Sequence, residues 1–412
     1  MRRLFSIVVL TKMKLVGEET IIKECVRQKY KNEARSDLHA NYVGKSVLPV
    51  AVIEVTRKTI NRLAEMQDVL HIIPNKKIDI TDQRIEVYEP ISDMESRSGL
   101  TWGLEELEAP RMWEITKGEG VNVAVIDSGA DAKHIALKNR IKKFISINNR
   151  NTRTYYSTAY DKNSHGTHVC GTIAGSKTKS GVHIGMAPRV NLFVVSLPYP
   201  VPYISNMLNA LSWAVEQNAD IINISMGWST DYQGYIGACY IFNRIVTHYG
   251  VLPIVSTGNM GWGMLRFPAN AFSALSIGSI YHIFDRTLPR EDRNQVASNS
   301  SGGSFDFPEG WNPDRIVKPD VVAPGVRVYS CLPSKGIICR RHPYGYMQGT
   351  SMAAPHVTGA AALLLSANPG RTPSEIADAL KRNAWHPHGN RRPDNRWGYG
   401  LIRLFRTHEA LQ

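Results

Sequence analysis

Two hydrophobic rhythms follow one another along the chain, and the change comes near residue 100. Before it, Phe5 to Leu10 is an apolar strand-like run, and Glu18 to Tyr30 carries Ile21, Ile22, Cys25 and Val26 at helical spacing. Val47 to Val55 reads as a strand and Lys58 to Gln67 as a short helix with Ile60, Leu63 and Met66 on one face. Val69 to Ile73 is another strand, closed by Pro74-Asn75. Strand–helix–strand used twice predicts a small α+β, ferredoxin-like split βαβ unit over residues 1–82. Residues 81 to 99 lose periodicity and carry Asp82, Glu86, Glu89, Asp93 and Glu95, so 83–99 reads as an acidic linker.

From Leu100 to the end, residues 100–412, strands alternate with helices. Val121–Ile126, Asn191–Leu197, Ile221–Ile224, Leu252–Ser256 and Ala274–Ile277 are apolar strands; His165–Ala174 and Ile204–Gln217 are helices. The pattern predicts an α/β fold, three layers α/β/α around a mostly parallel sheet. Ala353 to Leu365 has no charge and reads as a buried helix, with Pro355 expected in its first turn. Thr372-Pro373-Ser374-Glu375 is a capping box opening a last surface helix to Lys381.

At 43% hydrophobic and 21% charged, the composition is that of a globular chain with a sizeable core. No apolar run approaches the ~20 residues that span a bilayer, so no membrane partner is expected. The short apolar run after Met1-Arg2-Arg3 ends at Thr11-Lys12-Met13-Lys14 and reads as a first strand instead of a signal peptide. A net charge of +13 comes without a nucleic-acid motif, so it is assigned to a solvated basic face and no nucleic-acid partner is expected. Five cysteines make no disulfide framework. Cys331 and Cys339 flank a plausible hairpin and either pair across it or stay reduced; Cys25, Cys170 and Cys239 read as buried thiols without metal-ligand spacing.

Three stretches carry chemistry. Val123-Ala124-Val125-Ile126-Asp127 puts a carboxylate at the C-terminal end of a buried strand, where open α/β sheets gather their sites. Ser164-His165-Gly166-Thr167-His168 starts a helix with an imidazole. Gly349-Thr350-Ser351 starts another with a hydroxyl, at the positive end of the helix dipole. A serine needs a base to take its proton and a carboxylate to orient that base. Alone, Ser351 is equally an ordinary helix cap; the three stretches together are not coincidence.

In order and context, "VAVIDSGAD", "HGTHVCG" and "GTSMAAPHVTG" resemble the signatures of the subtilases, the subtilisin-like serine peptidases. The resemblance runs from about Leu100 almost to the end and implies Asp127, His165 and Ser351 as the triad of a serine endopeptidase. It implies Asn259, in "VSTGN", as oxyanion donor beside the Ser351 N–H, with the Thr350 hydroxyl as a weaker one. Ser225-Met226-Gly227 corresponds to the strand that pairs with extended peptide and walls the P1 pocket; Phe267 in "FPA" lies where the opposite wall is expected. Asp320, Asn223 and His168 are left as structural residues. Residues 1–82 resemble the family's inhibitor propeptide, which implies a zymogen cut by itself in the acidic linker.

The chain also departs from the family. Where a His-Pro-Asp sequence often helps bind calcium, it has His134-Ile135-Ala136-Leu137, so no strong calcium site and no cofactor are expected, a weaker site elsewhere being left open. Arg266 aligns with the floor of the P1 pocket, which implies a preference for Glu or Asp at P1; the other reading points it to solvent. Cys170 reads as a small core residue near His165. The expected partners are protein or peptide substrates and the chain's own propeptide, the protein being a monomer; the expected location is cytoplasmic, with export by an unrecognised route as the alternative. A silent peptide-binding scaffold is the reading from another class, and a processing protease restricted to few substrates, or chiefly to itself, the one within enzymes.

Overall fold

The structure is a computed structural model, and it describes residues 5–11, 47–48, 50–55, 57–67, 69–78, 89–199, 201–228, 232–285, 287–305, 316–333, 343–389 and 393–412. β1 (Phe5–Thr11), β2 (Val50–Val55) and β3 (Val69–Pro74) form an antiparallel sheet in the order β2-β1-β3. Helix Arg57–Ala64 joins the two outer strands, which lie on either side of β1: the split βαβ expected. The helix expected over 18–30 lies outside the described residues. Strand alternation sends Ile7 and Val9 toward Leu63, and Val8 and Leu10 to the other face.

The large unit is built on a nine-stranded sheet. In chain order its first strands are β4 (Asn122–Asp127), β5 (Ile141–Ile147), β6 (Arg153–Tyr155), β7 (Asn191–Ser196), β8 (Ile221–Ile224) and β9 (Leu252–Ser256). β10 (Leu275–His282) and β11 (Asn294–Val296) follow, β12 (Gly303–Phe305) and β13 (Ile316–Lys318) pair separately, and β14 (Val321–Pro324) returns beside β10. The spatial order is β11-β10-β9-β8-β4-β7-β5-β6, parallel throughout except for β6 and β11 at the edges. Alternation along β4 divides two cores. Val123 and Val125 pack with helices His165–Ala174 and Thr350–Ala367, while Ala124 and Ile126 pack with helices Ile204–Glu216 and Tyr232–Thr247. The α/β/α layering is as the sequence predicts.

Two local expectations are corrected. Pro355 lies inside helix Thr350–Ala367, at its sixth residue, and not in the first turn. A proline there removes the helical hydrogen bond to the carbonyl four residues back, which is that of Ser351; Ser225 Oγ replaces it, donating to the Ser351 carbonyl at 3.0 Å. The acidic segment is not all linker either. Asp93–Ser98 is a helix, N-capped by Ser92 and closed by Gly99 in the left-handed conformation. The capping box at Thr372 is present at the start of helix Pro373–Arg382. Cys170, Cys239 and Cys331 are buried and in no disulfide, and Cys25 and Cys339 lie outside the described residues.

Candidate functional site

Asp127 ends β4, and its fully buried carboxylate faces the start of helix His165–Ala174. His165 Nδ1 lies 2.9 Å from each Asp127 oxygen. Burial alone would push this imidazole down, but the Asp127 charge, its hydrogen bond and the charge of Asp161 together hold the pKa above the usual value. The other ring nitrogen, Nε2, is buried with no hydrogen-bond partner among the described residues.

Ser351 is the second residue of its helix and 8% exposed. Its hydroxyl donates to the Ser225 carbonyl at 3.0 Å, so it is not bonded to His165. Ser225 and Ser351 thus hold each other reciprocally, hydroxyl to carbonyl in both directions. Behind them Thr358 Oγ1 donates to Asn223 Oδ1 at 2.9 Å, and Asn223 Nδ2 donates to Ser225 Oγ at 3.0 Å.

Asn259 stands against the start of the same helix, its Oδ1 accepting from the Thr350 N–H at 2.9 Å. The Thr350 hydroxyl is turned toward Gly258 O and Asn259 Oδ1, 3.2 and 3.1 Å away. In this arrangement it holds the Asn259 side chain in place.

The substrate-side expectations divide between backbone and side chain. Met226 and Phe267 are buried in the apolar core, the Phe267 ring packed on Trp228 and Phe242. Beside them the backbones of Trp228 and Phe267 exchange N–H to carbonyl bonds at 2.9 and 3.0 Å. Arg266, half-buried, threads its stem between two glycine backbones. A Cβ on Gly227 would meet Arg266 Cβ at 2.9 Å, and one on Gly258 would meet its Cγ at 2.6 Å. The loop from Asn259 to Arg266 presents Met260, Trp262 and Met264 to solvent, Trp262 being 67% exposed.

Sequence reasoning missed Asp161 and left His168 as structural, without its partners. Asp161 ties the Asp127 loop to the His165 helix, accepting from Ser128 Oγ, Asn163 N and both the N–H and hydroxyl of Thr167. Its place four residues before His165 was the available signal. His168 Nε2 reaches the carbonyls of Val328 and Gly345, at 3.0 and 3.2 Å. Those belong to the hairpin of β15 (Val328–Cys331) and β16 (Tyr344–Met347), which leads into Ser351. Burial, with the nearby His165, pushes the His168 pKa down to about 3, so it stays neutral and donates.

The stretch His134–Leu137 does not fit calcium. Its histidine is buried, accepting from Ala136 N–H and lying 2.7 Å from the Pro343 carbonyl, with no carboxylate in the stretch. Among the described residues no three His, Cys, Asp or Glu side chains gather as metal ligands. Among them, too, no helix is long and apolar enough to cross a membrane.

Known proteins bear on this arrangement. The profile of the subtilase family matches residues 118–400. Subtilisin E of Bacillus subtilis (strain 168) is 33% identical over 297 residues, which cover 70% of this chain and 67% of that protein. The major intracellular serine protease of the same strain is 33% identical over 276 residues, covering 64% of this chain and 74% of that one. Among solved structures the fold is similar to that of fervidolysin from Fervidobacterium pennivorans, a keratinolytic enzyme related to subtilisin. The TM-score is 0.69 at 22% identity, and the match covers 99% of this chain but 61% of fervidolysin, so that likeness concerns the fold alone. With the profile covering more than half of its length, the chain belongs to the subtilase family, the subtilisin-like serine peptidases.

Proposed function

We propose that in this subtilisin-like serine endopeptidase Ser351 is the nucleophile, His165 its general base and then acid, and Asp127 the group that orients the imidazole. The observation that carries the reading is the buried His165–Asp127 pair at 2.9 Å, with Ser351 at a neighbouring helix start. The Ser351 N–H and the Asn259 amide are the oxyanion donors. Before attack, the Ser351 hydroxyl leaves the Ser225 carbonyl for His165 Nε2. A peptide laid along Ser225–Gly227 offers its own N–H to that carbonyl, so substrate pairing releases the nucleophile. Attack then forms the Ser351 Oγ–carbon bond while His165 takes the proton; the proton passes to the leaving amine, and water hydrolyses the acyl-enzyme.

The N-terminal unit acts as an inhibitor cut off by the enzyme itself. The chain is fixed to the large unit at Ile78, whose N–H donates to the Pro202 carbonyl at 2.6 Å, and again from Ser92 onward. The cut is therefore expected between these anchors. In the intact mass of the purified protein, wild type should lose its N-terminal segment and Ser351→Ala should stay full length. Both remaining full length, with no fluorophosphonate labelling of wild type, would favour a silent scaffold.

Arg266, between the two glycine backbones, gives the pocket a cation that selects Glu or Asp at P1. A peptide-library profile should show acidic P1 residues, and Arg266→Ala should abolish the preference. A wild-type profile dominated by aromatic residues or leucine would refute this assignment.

A further inference from the structure

Glu95 sits in the segment that reads as linker, yet it is 2% exposed. Its Oε1 accepts from the Trp102 N–H at 3.0 Å, and its Oε2 from Ser92 Oγ at 2.7 Å and from the Tyr346 hydroxyl at 2.6 Å. The same Tyr346 oxygen accepts from the Ser92 N–H at 2.8 Å. Tyr346 belongs to β16, and Ser351 follows five residues later. Around this knot, Trp102 Nε1 donates to the carbonyls of Val326 and Arg327, at 3.2 and 3.1 Å. The Arg327 guanidinium lies 4.6 Å over the Tyr346 ring and pairs with Glu89 at 3.1 Å. The hairpin that delivers Ser351 is thus held from one side by His168 and from the other by the acidic segment.

We infer that Glu95 is a positioning residue for Ser351, acting through Tyr346, and that self-processing leaves residues 92–99 on the enzyme as a clamp. This rests on Ser351 being the nucleophile, as proposed above. A buried carboxylate suits the task because three donors converge on it from three elements, and an apolar side chain would satisfy none of them. The cut that frees the N-terminal unit must then fall before Ser92, since a cut beyond Glu95 would release the carboxylate from Tyr346.

The test compares wild type, Glu95→Ala and Glu95→Gln in the full chain, with kcat expressed per site titrated by a fluorophosphonate. Glu95→Ala should lower kcat about tenfold with KM nearly unchanged, as expected when a nucleophile is slightly misplaced. Glu95→Gln should recover much of that loss, because its carbonyl accepts from Trp102 and its amide donates to the Tyr346 and Ser92 oxygens. The N-terminus of processed wild type should lie at or before Ser92. A fully active enzyme beginning after Glu95, or an unchanged kcat per titrated site in Glu95→Ala, would overturn the inference. Wild type that neither labels nor turns over would instead remove the nucleophile assignment beneath it.

Discussion

Asp161 shows how much of the site depends on a residue outside the proposed triad. Its carboxylate gathers Ser128, Asn163 and Thr167, and Ser128 in turn receives the Gly166 N–H and donates its own N–H to Asp127 at 2.7 Å. This side chain is thus one of the links between the two segments that present Asp127 and His165. Its charge also helps to raise the His165 pKa against the opposing effect of burial and in addition to the larger effect of Asp127. The sign of the consequence is clear. In the proposed mechanism the base works as neutral imidazole, so activity appears as pH rises through the His165 pKa, and a raised pKa sets the acid limb of kcat/KM at higher pH. Asp161→Asn keeps the shape and removes the charge. Its acid limb should move to lower pH, with kcat down about tenfold from the looser Ser128 and Thr167 bonds. A pH profile of kcat/KM for the two proteins checks it, and an unmoved or higher limb would exclude an electrostatic role.

At the level of elements, what was legible followed from local chemistry, and what was not followed from long-range partners. The buried strands are short apolar runs, and β8 and β9 have the bounds read from them. Asp127, His165 and Ser351 stood out because each lies at the end of an element, Asp127 of a strand and the other two of helices, within a distinctive context. Helix Asp93–Ser98 has no hydrophobic periodicity to reveal it, because it buries a carboxylate in place of an apolar stripe. Its signals were nonetheless present: Ser92 three residues before Glu95, and Gly99 at the end. Pro355 was misplaced because a proline normally stays out of a helix interior. Here the hydroxyl of Ser225, the residue just after β8, fills the missing bond, and no spacing within residues 349–359 announces that. The same holds for His168, whose partners lie 160 and 177 positions away.

On the scale of the whole molecule, the N-terminal sheet packs against helices Ile204–Glu216 and Tyr232–Thr247. Leu10 comes so close to the second helix that a Cβ on Gly237 would lie 2.5 Å from its Cδ1. Beyond β3, polar bonds take over from packing. Asn75 Oδ1 accepts from the Ser205 N–H at 3.0 Å, satisfying a donor in the first turn of the first helix, and the Lys76 carbonyl accepts from Ile204 N–H at 3.0 Å. Ile78 follows, completely buried among residues of the large unit. A contact of this kind suits an inhibitor that must remain bound after its peptide bond is cut, since the two pieces are then held only by their interface. Replacing Ile78 by Asp removes an apolar anchor worth about 2–3 kcal/mol and buries a carboxylate in its place, so the clipped unit should bind roughly a hundredfold or more weaker. The expected result is processing as in wild type, a shorter lag before peptide hydrolysis, and separation of the two fragments on size exclusion. If the lag and the co-elution match those of wild type, Ile78 does not anchor the unit, and its hold on the enzyme must come from the sheet and the Asn75 cap.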